Sequence, residues 1–474
     1  MRLFFLLLIS SWLWGIGSSV YGIPWWVSAV LAALFIYLTA RRHHLSWQLL
    51  AAAGALWFLG SVYGSSINQP VTASCSLAKN TVVTIDTVWR ISERTVSYIG
   101  TDTNNCRLMI RANRFPVYNT GTVLTVHAQP KLISDLKSEE GYKEWLTRQG
   151  IYAVSEYSDL TVQKENTSLR TKINNSVHQH IVQTFSEPES SFVAAMLLAE
   201  QGSVPETLQE QFKKTGTSHI LAISGLNISL LTGMILALLV LLPLSSLQRS
   251  LITISLVWLY MFFIGWPISA VRASLFWSIT LLALHTQRLI SLAAVLILTT
   301  ILLVSYNPAL LQDIGFQLSL TAVIGIGLML FLLRGIQQQL PQVMRIMLGL
   351  TSATIGATLT TWPIVMYHFG NISLISLPAN LLLEPVFPLM LVTGIVTVLV
   401  SFIFPPLALL GSFVMHLLYV WLNMVTYIFS EIPWMYYENL SISWWVVVLY
   451  YVVLITLCIW LLRLQKRSWR EVWV

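Results

Sequence analysis

The sequence predicts a polytopic α-helical membrane protein of about twelve spans, with a small β-barrel domain inserted on the extracytoplasmic side. Three observations predict it. Hydrophobic residues make up 55% of the 474 and charged residues only 10%, against about a quarter charged in a soluble domain. Apolar runs of about 20 residues recur, the length a helix needs to cross a bilayer core of about 30 Å. The charge is also concentrated, with 13 of the 27 Lys and Arg and 10 of the 20 Asp and Glu falling within residues 65–185.

The first region, residues 1–64, holds three predicted spans, near 3–21, 24–40 and 47–64. The opening run reads as a retained span rather than a signal peptide, because Arg2 is its only basic flank and no small-x-small cleavage site follows. Nine more spans fit after the polar region, near 218–242, 251–267, 269–285, 289–306, 314–333, 346–368, 386–404, 406–430 and 444–462. Arginine and lysine in short loops favour the cytoplasm. With Arg2 inside, the alternation also puts Arg41, Arg42, Arg249, Arg288, Arg334, Arg345 and the tail from Arg463 to Arg470 inside. Both termini are then cytoplasmic, and the polar region lies outside.

Residues 65–167 alternate apolar and polar side chains in runs such as "NTVVTIDTVWRIS", "CRLMIRA" and "TVLTVHAQ". That is the period of half-buried strands. About five short strands with one helical insertion near 139–149 suit a small barrel of the OB type. Residues 168–215 read as amphipathic helices on the membrane surface, since Leu169, Ile173, Val177, Ile181 and Phe185 form one apolar stripe. Residues 216–474 form the main transmembrane domain.

Polar residues inside apolar spans point to function, because lipid returns nothing for them. The run "KKTGTSHILAISGLNISLLTG" brings Lys213, Lys214, Ser218, His219, Ser224, Gly225 and Asn227 to the mouth of one span. It reads either as a broken, water-facing entry or as a helix-packing face of small residues. Arg272, beside Pro267, either meets an anion or forms an ion pair with Asp313 or Glu384. Asp313 and Gln317 suit a helix cap, and His368 sits at a span end. Asn380 and Glu384 lie in "PANLLLEPVFP", where three prolines remove backbone donors, so a broken or re-entrant segment is predicted there. These membrane carboxylates read as structural.

Several of these blocks, in order, resemble the ComEC competence family. "GTSHILAISGLNISLL" is similar to its signature, and "AVRASLFWSI", "NPALLQDIGFQLSLTAVIGI" and "TLTTWPIVMYHFGNISLISLPANLLLEPV" resemble its later elements. The likeness covers roughly residues 60–470. It implies an inner-membrane channel that admits single-stranded DNA during natural transformation. It also implies a periplasmic DNA-receptor protein and a cytoplasmic helicase or single-strand-binding protein as partners, and membrane lipids around the helices. Cys75 and Cys106 match a cysteine pair of some members. They are disulfide partners if the domain faces an oxidising compartment, and buried thiols otherwise. The family signature usually carries His where this chain has Asn227. The metallo-β-lactamase-like domain of many members is not expected here, since no HxHxDH run occurs.

Single-stranded DNA needs cations for phosphates and flat apolar faces for bases. In the β domain the candidates are Arg90, Arg94, Arg107, Arg111, Arg114 and Lys131, with Trp89, Tyr98, Phe115 and Tyr118. The same residues also suit an ordinary solvated surface. No nucleophile–base set, Walker loop or metal-ligand spacing is present, so neither enzyme activity nor a cofactor or metal is expected. The net charge of +7 reflects cytoplasmic loops. The alternative reading is a polytopic enzyme or exporter acting on lipid-linked glycans, which needs catalytic residues in an outer loop. A small-solute transporter is a third, and would show an internal repeat.

Overall fold

The computed structural model describes residues 2–21, 23, 27–32, 47–67, 78–91, 95–113, 118, 121–136, 143, 146, 150–156, 159–164, 169–200, 204–221, 223–286, 291–337, 339–440 and 442–464. Alternating β-branched residues in the polar region form β1 (Thr81–Ile91), β2 (Thr95–Asp102), β3 (Arg107–Asn113), β4 (Val123–Val126), β5 (Lys131–Leu132), β6 (Ala153–Ser155) and β7 (Leu160–Lys164). They pair in the order β5-β6-β3-β2-β1-β4-β7. Every ladder is antiparallel except β3–β6. One sheet face buries Val83, Ile85, Val96, Tyr98, Leu108, Ile110 and Leu124. The other packs Ile99, Met109 and Val154 against Leu146 and Ile151.

The closed barrel of about five strands is not what the described ladders form. They make an open seven-stranded sheet whose edges, β5 and β7, do not pair with each other among the described residues. Strands of two and three residues, such as β5 and β6, are too short to show a period of two. The expected insertion near 139–149 lies mostly outside the described residues.

Before the sheet come α1 (Arg2–Val20) and α2 (Trp47–Ile67). The predicted span 24–40 lies largely outside the described residues. After the sheet come α3 (Leu169–Thr184), α4 (Glu189–Leu198) and α5 (Glu206–Lys214). All nine later stretches hold a helix: α6 (Gly225–Val240), α7 (Ser246–Ile264), α8 (Ile268–Ala283), α9 (Leu292–Tyr306), α10 (Ile314–Gln337), α11 (Gln342–Phe369), α13 (Val386–Ile403), α14 (Pro405–Ser430) and α15 (Trp444–Leu464). Between α11 and α13 lie β8 (Ile372–Ser373) and the half-helix α12 (Ser376–Leu383). β8 pairs with β9 (Tyr436–Tyr437).

Among the described residues, six helices, α7, α10, α11, α13, α14 and α15, are long and apolar enough to cross a membrane. Their outward residues, such as Leu399, Leu409, Phe413, Leu449 and Val453, are exposed and apolar. In water that surface would drive aggregation, whereas in lipid it is matched.

Small residues set the helix contacts. Gly325 of α10 and Gly356 of α11 lie backbone to backbone, and a methyl on either would collide with the other's carbonyl. Gly15 of α1 lies against the Trp57 carbonyl of α2 in the same way. Without a hydrophobic force between helices in lipid, close backbone approach provides the attraction.

The reading of residues 168–215 as interfacial helices needs correction at α4. Eight of its ten residues are buried, Glu189, Ser190 and Phe192–Leu197. They join one core with Phe212 of α5, Met390 of α13, and Met415 and Tyr419 of α14. "FVAAMLL" is apolar all round, which marks a buried helix rather than an interfacial one. Polar α3 beside it masked that signal in the sequence.

Gly356→Val should separate α10 from α11 and lower the thermal midpoint in detergent, at an overpacking cost of about 1–3 kcal/mol. Gly233→Ala, where an added methyl meets nothing within 4 Å, should leave the midpoint unchanged or raise it.

Candidate functional site

The signature segment enters the helical bundle through a sharp break. Helix α5 ends at Thr215, whose N–H donates to the Gln211 carbonyl at 2.9 Å. Gly216 follows with φ +69°, and a side chain there would meet the Ser376 Cβ at 2.7 Å and the Ser373 Cβ at 3.1 Å. Glycine is required on both counts. Ser373 Oγ donates to the Lys214 carbonyl at 2.7 Å. The start of the signature is therefore docked on β8 and α12, about 160 residues away in sequence. Thr215 and Thr217 are fully buried, with hydroxyls 2.7 Å apart.

One 3₁₀ turn, Ser218–Ile220, leads to Ser224, the N-cap of α6. Its Oγ accepts the Leu226 N–H at 3.2 Å and donates to Asn227 Oδ1 at 3.0 Å. The cap fixes the Asn227 amide, and its Nδ2 is buried with no partner among the described residues. Ser218 and His219 are exposed.

Helix α8 holds this segment with one face and Arg272 with another. Ser269 Oγ donates to the Ile223 carbonyl at 2.6 Å, Ala273 touches Gly225, and Trp277 Nε1 donates to Ser229 Oγ at 2.8 Å. These positions are four apart, one helical stripe. Arg272 is buried, its guanidinium 5.4 Å from the centre of the Phe316 ring. Arg272 Nη1 has no partner among the described residues.

Both membrane carboxylates accept hydrogen bonds within the protein. Asp313 Oδ1 accepts the Phe316 N–H at 2.6 Å and caps α10. Gln317 Nε2 donates to the Leu311 carbonyl at 2.8 Å and to the Tyr21 hydroxyl at 3.2 Å, tying α10 to the end of α1. Glu384, at the break between α12 and α13, accepts from Thr354 Oγ1 at 2.7 Å. Asn380 is buried, and its Oδ1 has no partner among the described residues. His368 lies in the last turn of α11 against the edge of Tyr367.

Two groups of cations differ from a free phosphate-gathering surface. Lys213 Nζ is 3.0 Å from Glu438 Oε1 and sits over the Tyr436 ring, and Lys214 pairs with Glu210 at 3.2 Å. The hydrogen bond Lys213 donates to Glu438 raises the Lys213 pKa and lowers that of Glu438. In the β domain, Arg107 is 3.7 Å from Asp86 and Arg111 is 3.9 Å from Glu156. Tyr98 is fully buried, its hydroxyl accepting the Tyr118 N–H at 3.0 Å, so it presents no face to a base. Cys75, Arg94, Arg114 and Phe115, and the side chains of Trp89 and Arg90, lie outside the described residues. Cys106 is fully buried. Glu438 and the Glu189–His416 pair, 2.6 Å apart, escaped the sequence reading because their partners lie more than 200 residues away.

These features define a helical membrane protein whose signature segment breaks the backbone beside two unpaired donors. Residues 196–464 match the competence protein family, more than half of the chain, and the chain belongs to that family. It is 26% identical over 340 residues to ComE operon protein 3 of Bacillus subtilis (strain 168), covering 70% of this chain and 42% of that protein. It is also 28% identical over 289 residues to the uncharacterized protein YcaI of Escherichia coli (strain K12), covering 56% and 35%. The chain thus spans less than half the length of either relative. No solved structure matches it.

Glu438→Gln should lower the thermal midpoint at pH 7 by a degree or two, since an exposed pair contributes about 0.2–1 kcal/mol. Because folding depresses the Glu438 pKa, the contribution is complete above the ordinary carboxylate value of about 4.3. It fades as pH falls through the folded value. Midpoints of variant and parent measured across pH 3–7 should therefore converge at the acid end.

Proposed function

We propose that this chain is a membrane channel that passes one strand of DNA into the cytoplasm during natural transformation. Membership of the competence family supports a role in DNA uptake. The observation that carries the reading is the broken entry at Gly216–Asn227, with Asn227 Nδ2 and Arg272 Nη1 left as donors on adjoining helices. Donors without acceptors suit an anion or its water, whereas a cation path calls for backbone carbonyls or carboxylates.

In this reading the chain crosses the inner membrane about twelve times, with both termini cytoplasmic. The β domain is an open-sheet module on the outer side, tied by a Cys75–Cys106 disulfide. It receives a single strand from a periplasmic DNA receptor. The signature segment admits the strand, a helicase or single-strand-binding protein takes it on the cytoplasmic side, and the chain itself catalyses no reaction. Phosphates exchange with the carboxylates that hold Lys213, Lys214, Arg107 and Arg111, and bases slide on apolar walls without sequence readout.

Deleting the gene should abolish entry of labelled DNA into the cytoplasm while leaving DNA bound at the cell surface. Unchanged entry would refute the channel. Arg272→Gln should reduce transformation at least tenfold with the protein still present in the membrane, as followed by immunoblot.

A further inference from the structure

Helix α3 carries a polar stripe into a region where its neighbours are apolar. Lys172, Asn175, Ser176, Gln179 and Gln183 are exposed, while Thr171, Ile181 and Phe185 face the core. The α13–α14 hairpin fixes its depth. No charged residue occurs from 386 to 430, and the hairpin tip exposes Phe402, Ile403, Phe404 and Leu407. The His180 ring lies 3.8 Å from that of Phe402 at this tip. Helix α5 sits at the opposite end of the hairpin, where Lys213 meets Glu438. With 26 residues in α14, those ends are about 39 Å apart. The α3–α5 block therefore runs along the apolar hairpin instead of resting above it. At its other end α3 is anchored on α7, where Asn174 Nδ2 donates to the Phe263 carbonyl at 3.0 Å and Arg170 Nε donates to the same carbonyl at 3.3 Å.

Polar amides and an ammonium cannot face hydrocarbon without a cost of several kcal/mol. We propose that α3 and α4 form a re-entrant helical pair, and that the polar face of α3 (Lys172, Asn175, Gln179, Gln183) lines a water-filled vestibule at bilayer depth. α4 supplies the apolar back that holds α3 against α13 and α14. The vestibule does not depend on what is carried, only on the chain lying in a membrane. Its lining has one cation and no carboxylate among these residues, which admits anions as well as water.

The test uses the full chain in proteoliposomes, in a Cys458→Ala background, with single substitutions Lys172→Cys, Gln179→Cys and Gln183→Cys. Each is probed with a charged, membrane-impermeant thiol reagent, after subtraction of the parent's labelling. Thiols react as thiolates, which form in water and not in lipid. All three should label within about tenfold of Asn104→Cys on an exposed turn of the β domain, and at least a hundredfold faster than outward-facing Phe413→Cys. Labelling of Gln179→Cys and Gln183→Cys as slow as that of Phe413→Cys would overturn the proposal, whatever Lys172→Cys does. A second measurement fixes depth: His180→Cys with Phe402→Cys should form a disulfide under mild oxidation. Fast labelling without that bridge would mean that α3 lies on the membrane surface, which also overturns the proposal.

Discussion

Everything in this fold answers to one constraint: a polar group at bilayer depth must find a partner in the protein or in water. Most of the described intramembrane polar groups find one nearby. Glu384 takes the Thr354 hydroxyl, Asp313 takes the Phe316 N–H, and Arg272 packs over the Phe316 ring. Tyr450 and Tyr451 of α15 donate to the carbonyls of Leu359 and Thr360, bracing the last helix on α11. Such hydrogen bonds contribute only about 1 kcal/mol each in membranes, so they specify which faces meet more than they stabilise the bundle. The close glycine contacts supply the rest of the specificity.

The same constraint gives meaning to the places where it is not met. Asn227 and Arg272 keep donors with no partner among the described residues on α6 and α8, two helices that pack through Ser269, Ala273 and Trp277. Gly216 couples this break to the second one, because Ser373 and Ser376 close over it. A shift of α12 would therefore press directly on the signature turn. Two discontinuous segments in contact give a bundle a place to open without tearing continuous helices, as in transporters built on broken helices.

Much of this was legible in the sequence because hydrophobic length and helix-breaking residues are local signals. The nine helix positions after the β domain, the Asp313 cap and the break near Glu384 all follow from residues within one or two turns. What was not legible depends on distant partners. Nothing in "QFKKTG" reveals that Glu438 will neutralise Lys213, or that Tyr98 will be the centre of a sheet core rather than a stacking platform. Helix α4 was misread because its neighbour is polar, and a hydrophobic count averaged over both describes neither. The short strands β5 and β6 carry too few residues for any period.

The ion pairing of the candidate cations bears on how a polyanion would be handled. Lys213–Glu438 is half exposed, so its contribution is about 0.2–1 kcal/mol, and a phosphate could replace Glu438 at little cost. A row of free lysines would bind a strand tightly and hold it, whereas conduction requires sites that are weak and repeated. Arg272 differs, because it is buried against Phe316 and its Nη1 has no partner among the described residues. The arrangement therefore separates two kinds of cation: half-exposed lysines paired with carboxylates, and a buried guanidinium packed on an aromatic ring.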